Sequence, residues 1–78
     1  MKHHETAPVG VVRRLMSKDG YGFLEGADGR ELYFHRNSVI EPGFDSLRLG
    51  ERVTFTEEQG AEGPQASRVT PLGERAPQ

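Results

Sequence analysis

The stretch DGYGFLEGADGRELYFH, residues 19–35, constrains this 78-residue chain more than any other. It holds two alternating runs, YGFLE (21–25) and ELYFH (31–35), joined through Ala27-Asp28-Gly29. Asp-Gly between alternating runs is a strong hairpin signal, because the turn needs residues that accept positive φ. Successive side chains of a strand point to opposite faces. Leu32 and Phe34 therefore share one face, and Tyr33 and His35 the other. Leu24 and Gly22 lie opposite Tyr21 and Phe23. The economical assignment puts Leu24, Leu32 and Phe34 inside, with Val12, Val53, Phe55 and Val69 from other runs. Tyr21, Phe23, Tyr33 and His35 then stand together outside, on two neighbouring strands.

Three more runs read as short strands: VGVVRRLM (9–16), RVTFTE (52–57) and QASRVT (65–70), the last ending before Pro71. Lys18-Asp19-Gly20 links the first two runs, and Glu62-Gly63-Pro64 precedes the fifth. No helical periodicity persists beyond a turn. NSVI (37–40) fits one helical turn, and FDSLRLGE (44–51) a long loop or a short 3₁₀ piece. Five short strands with two successive hairpins predict an all-β fold, a small five-stranded antiparallel barrel of the OB type. One domain is expected over residues 9–72, with flexible tails at 1–8 and 73–78. A chain this short buries roughly 60% of its unfolded surface, so its core is small.

Composition narrows the function classes. Net charge is −2, which argues against duplex binding by bulk electrostatics. Residues 1–40 hold six Lys/Arg against five Asp/Glu, and residues 41–78 hold four against seven. There is no cysteine, hence no disulfide and no thiolate chemistry. No apolar run approaches the ~20 residues of a membrane span, and MKHHETAP lacks the apolar segment of a secretory signal. A cytoplasmic protein without a membrane partner is expected.

An outward cluster of rings on a small sheet marks a binding surface. Bases stack on flat side chains, at ~1–3 kcal/mol per stack and with little regard to sequence. Tyr21, Phe23, Tyr33 and His35 offer platforms for about three or four bases. Arg13, Arg14, Lys18 and Arg36 flank them, suited to phosphates and, for the arginines, to stacking. Gly20 and Gly22 are expected to keep the surface open to a close approach. Surface rings also serve as cross-strand pairs that hold a sheet together, and glycines serve turns and bends. Catalysis is not expected. Ser17, Ser38, Ser46 and Ser67 have no triad setting, Glu57-Glu58 is a charged strand end, and Gly20-Tyr21-Gly22 opens a strand rather than the helix of a phosphate loop. No metal is expected, because His3 and His4 are adjacent in a tail and His35 is remote in sequence. No cofactor is implied.

The residues resemble a known family. Asp19-Gly20-Tyr21-Gly22-Phe23-Leu24 is similar to the first ribonucleoprotein motif of cold-shock domains, K-G-F-G-F-I, and Leu32-Tyr33-Phe34-His35 to the second, V-F-V-H. Gly10-Val11-Val12, the loop Gly43-Phe44-Asp45-Ser46-Leu47 and Gly63-Pro64-Gln65-Ala66 extend the resemblance over residues 9–72. It implies a five-stranded OB-type barrel that binds single-stranded RNA or DNA without catalysis, as an RNA chaperone does. The stacking role falls on Tyr21, Phe23, Tyr33 and His35, and Phe44 matches a loop aromatic that adds a further stack.

The departures are specific. The family's first strand reads K-W-F-N; here it is Arg13-Arg14-Leu15-Met16, so Arg14 replaces the Trp and Leu15 the Phe. Asp19 replaces the Lys that opens the first motif, and Arg36 the aromatic after the second motif's His. Weaker binding than in typical members is expected. The second reading is a protein- or ribosome-docking module with little RNA affinity. Divergent cold-shock domains with a Y-F-H-R-N-S-V segment occur fused behind ribosome hibernation modules, and residues 33–39 read YFHRNSV. Residues 57–60, EEQG, fit the same variant. On that resemblance the chain is one domain of a longer, stress-response protein, with His3-His4-Glu5-Thr6 a linker remnant. The partners implied are single-stranded nucleic acid first and the ribosome second, with the domain a monomer.

Overall fold

The computed structural model describes residues 8–40, 43–61 and 63–75. Residues 1–7 of the expected tail 1–8, including His3 and His4, lie outside them, as do Glu62 of the turn before the last strand and the end of the chain at 76–78. Five strands, β1 (Val9–Met16), β2 (Tyr21–Glu25), β3 (Glu31–His35), β4 (Glu51–Gly60) and β5 (Gly63–Arg75), close into a barrel in the order β1-β2-β3-β5-β4. The first three have the expected bounds. The fourth and fifth are longer than the alternating runs suggested. β5 continues through Pro71 and past residue 72 to Arg75, three residues into the stretch read as a tail. Two 3₁₀ turns, Arg36–Ser38 and Phe44–Ser46, lie between β3 and β4. Among the described residues no helix is long and apolar enough to cross a membrane.

The barrel is not purely antiparallel. β1 pairs antiparallel with β2 and with β4, β2 with β3, and β4 with β5, but β3 and β5 run parallel. The reason is parity. Directions cannot alternate all the way round a ring of five, so at least one neighbouring pair must be parallel. Here that seam is short: Tyr33 opposite Gln65, with an isolated parallel bridge between Val39 and Val69 beyond it. Parallel pairing is slightly weaker per residue, and its brevity concentrates the defect at one place on the barrel.

Of the three register shifts among the described residues, two set which side chains face the core. In β1, Val12 faces Leu24 and Arg14 faces Phe23, so Arg13 is an extra residue. The bulge re-phases the strand. Val12 points in, Arg13 and Arg14 are both exposed, and Leu15 packs back against the core. In β5, Arg68 and Val69 oppose the single residue Phe55. Arg68 takes φ 50°, a left-handed conformation that costs a side-chain-bearing residue energy. It is held there while Val69 and Phe55 both turn inward.

The core holds all seven residues that strand alternation selected: Val12, Leu24, Leu32, Phe34, Val53, Phe55 and Val69. Phe44, Leu47 and Ala66 complete it. Gly22 sits across from Phe34, and a Cβ on it would stand 2.9 Å from the Phe34 ring and 2.6 Å from the Arg14 carbonyl. The β2–β3 turn is tied down at its tip. Asp28 Oδ1 accepts from the Arg30 backbone N–H (3.1 Å) and Oδ2 from Arg30 Nε (2.8 Å), while Arg30 Nη2 donates to Glu57 on β4 (2.9 Å). The backbone hydrogen bond and then the guanidinium hold the Asp28 carboxyl below its ordinary value of 3.8.

Phe34→Ala is expected to cost about 3–5 kcal/mol in denaturant unfolding, since the ring is wholly buried. Gly22→Ala should cost about 1–3 kcal/mol by overpacking against that ring; an unchanged unfolding midpoint in either variant would mean that the inward face has been assigned to the wrong residues. Asp28 titrates below its unfolded value, so its contribution is present above pH 3.8 and is lost as pH falls through its lowered folded value. The stability difference between wild type and Asp28→Asn, followed by urea unfolding across pH 2 to 7, should therefore shrink in acid; because the pair is exposed, the difference will be small at any pH.

Candidate nucleic-acid interface

Register places the rings. Tyr21 lies opposite His35 and Phe23 opposite Tyr33, so all four project from the outer face of β2 and β3. The three aromatic rings touch one another. Tyr21 and Phe23 have centroids 6.0 Å apart at 81°, Phe23 and Tyr33 6.0 Å apart at 70°, and Tyr21 and Tyr33 5.6 Å apart at 36°. The two edge contacts suit the ring quadrupoles. They leave each ring half-buried and the three together as one continuous apolar surface. His35 is exposed beside them. Its Nδ1 accepts the Asn37 N–H at 3.1 Å, which caps the Arg36–Ser38 turn and leaves Nε2 to carry the proton of the neutral ring.

The cations are distributed differently from a simple basic rim. Arg13 donates from Nε to Glu25 at 2.8 Å, Arg14 lies 3.5 Å from Glu31, and Arg36 lies 3.6 Å from Asp45. Lys18, in the β1–β2 turn, has no ion pair among the described residues. Each arginine thus brings a carboxylate with it, and the local charge nearly cancels. These pairs are exposed, so each is worth little and can be exchanged. The Arg14 guanidinium lies over the Phe23 ring, 5.3 Å from its centroid. Arg14 therefore adds a flat group to the face.

Two expectations change with the structure. Phe44 is not an open platform. It is 6% exposed and belongs to the core, its ring 6.1 Å from Phe34, with the Arg36 guanidinium 5.6 Å from its centroid. The connection between β3 and β4 is anchored on the barrel by Phe44 and Leu47. Nor do the two glycines open the binding surface. Gly22 faces inward against Phe34, and Gly20 is buried in the turn with φ 78°, its carbonyl accepting the Arg36 N–H at 2.8 Å.

The face continues into a groove of about 540 Å³ lined by Phe23, Glu31, Tyr33, Ala61, Gly63, Pro64 and Gln65. Glu31, Pro64 and Gln65 were not among the expected site residues. Gln65 comes beside Tyr33 only through the parallel seam, a long-range pairing. Glu31 was legible in principle, since it shares the outward phase of Tyr33.

Comparison with known proteins agrees with this geometry. The sequence model of the 'Cold-shock' DNA-binding domain family matches residues 9–72. Cold shock protein 1 of Lactiplantibacillus plantarum is 40% identical over 62 residues, 80% of this chain and 94% of that protein. The cold shock-like protein CspA of Vibrio cholerae is 41% identical over 64 residues, 81% of this chain and 91% of its own. Cold shock protein CspC of Bacillus subtilis is 38% identical over 60 residues, 77% and 91% of the two chains. With the closed five-stranded barrel, the outward rings on β2 and β3 and a family match across all five strands, the chain belongs to the cold-shock domain family.

Proposed function

We propose that this domain binds single-stranded nucleic acid, RNA or DNA, across the outer face of β2 and β3, and acts as an RNA chaperone does, by transient binding without a cofactor or a chemical step. The observation that carries this reading is the mutual contact of Tyr21, Phe23 and Tyr33 on a surface facing solvent. Bases stack on these rings and on His35, while Lys18, Arg13, Arg14 and Arg36 stand within the same neighbourhood for phosphates. Membership of a family described as DNA-binding supports the same reading.

Binding is weaker than in members with the fuller aromatic set. Leu15 and Arg36 replace aromatics, Asp19 reverses a charge, and Phe44 is committed to the core. Each missing stack removes ~1–3 kcal/mol. One observation favours a second reading, a protein- or ribosome-docking module: three of the four nearby cations already have carboxylate partners, which lowers the pull on phosphates.

Amide chemical-shift titration with oligo-U and oligo-dT separates the two. Shifts should cluster at residues 13–14, 20–23 and 33–36 and weaken with salt, and about three phosphate contacts would give a log–log slope near −2. Phe23→Ala and Tyr33→Ala should each weaken binding by about 1–3 kcal/mol with little change in melting temperature. Equal affinity in wild type and both variants would remove the rings from the interface. No shifts at millimolar oligonucleotide would favour the docking reading.

A further inference from the structure

Arg14 is the one arginine of the face that both lies over an outward ring and is held by a carboxylate of the groove. Arg13 is bound more closely, at 2.8 Å, by Glu25. Arg36 covers Phe44, which is in the core. The Arg14 guanidinium stands 5.3 Å from the Phe23 centroid, and its Nη2 is 3.5 Å from Glu31 Oε1. That separation is too long for a strong hydrogen bond. Both side chains are well exposed, 55% and 42%. Glu31 also lines the groove with Phe23, Tyr33 and Gln65. A strand lying across the rings must pass this carboxylate.

From these contacts we infer that Glu31 sets the affinity and salt response of the interface by competing with the strand's phosphates for Arg14, an inference that rests on the single-strand-binding reading above. Carboxylate and phosphate offer a guanidinium the same pair of acceptor oxygens. In the free protein Glu31 occupies Arg14. On binding, a phosphate takes its place and the guanidinium stays over Phe23. The loose, exposed geometry makes that exchange cheap, and it also means that part of the electrostatic attraction is spent on releasing Glu31.

The test is a thermodynamic cycle on the whole chain with oligo-U and oligo-dT over a series of salt concentrations. Glu31→Gln should tighten binding about two- to fivefold, the size of an exposed ion pair, and steepen the log–log salt slope by about 0.7, one added phosphate contact on a single strand. Combined with Arg14→Ala, both gains should vanish. Glu31→Gln that leaves affinity unchanged or lowers it overturns the inference, the latter pointing to a carboxylate that receives a hydrogen bond from a base. A gain that survives in the Arg14→Ala background also overturns it, because Glu31 then acts by plain repulsion. Failure of the underlying reading looks different: no variant, nor the unaltered chain, would bind in a manner dependent on Phe23 and Tyr33.

Discussion

The pairing of β2 with β3 in one register, Gly22 across from Phe34 and Phe23 across from Tyr33, is the constraint on which the rest depends. Phe34 is the largest wholly buried side chain. It fits because the residue opposite has no Cβ, and any Cβ there would meet both the ring and the β1 backbone. One interlocked pair thereby sets two surfaces at once. With Phe34 inward, Tyr33 and His35 must be outward, and with Gly22 inward, so must Tyr21 and Phe23. A slip of one residue would exchange core and interface. The glycine that looks like a concession to a ligand is a concession to packing.

Closure of an odd ring is the second constraint. Five strands cannot alternate direction throughout, and the unavoidable parallel seam falls between β3 and β5. Because that seam is short, Tyr33 borders a groove instead of a continuous sheet, and residues from the far end of the chain, Pro64 and Gln65, reach the aromatic face there. The bulge in β1 acts on the opposite side of the same face. It turns two consecutive arginines outward, where an unbroken strand would have buried one of them.

The electrostatics of the face follow from these placements. Glu25 and Glu31 occupy the outward phase of β2 and β3, as the rings do, and each takes up an arginine from β1. The result is an apolar, nearly neutral platform. Its one unpaired cation among the described residues of the proposed site, Lys18, lies in a turn. On the reading proposed above, such a surface would hold bases by stacking more than by charge.

The sequence by itself determined the strands, the turns between the first three, the seven central core residues and the outward position of Tyr21, Phe23, Tyr33 and His35. All of these are local: they follow from period-two alternation and from Asp-Gly turn chemistry, which act between residues close in the chain. Tertiary structure alone decided which strands became neighbours across the seam, that Phe44 would serve the core, that the arginines would be paired, and that Gln65 would stand beside Tyr33. Each of these depends on residues far apart in sequence being brought together by barrel closure, and no periodicity along the chain encodes that distance. The extra length of β5 belongs with them: Pro71 pairs with Val53 and Arg75 with Glu51, and Gly73 keeps a turn-like φ of 79° inside the register shift between those pairs.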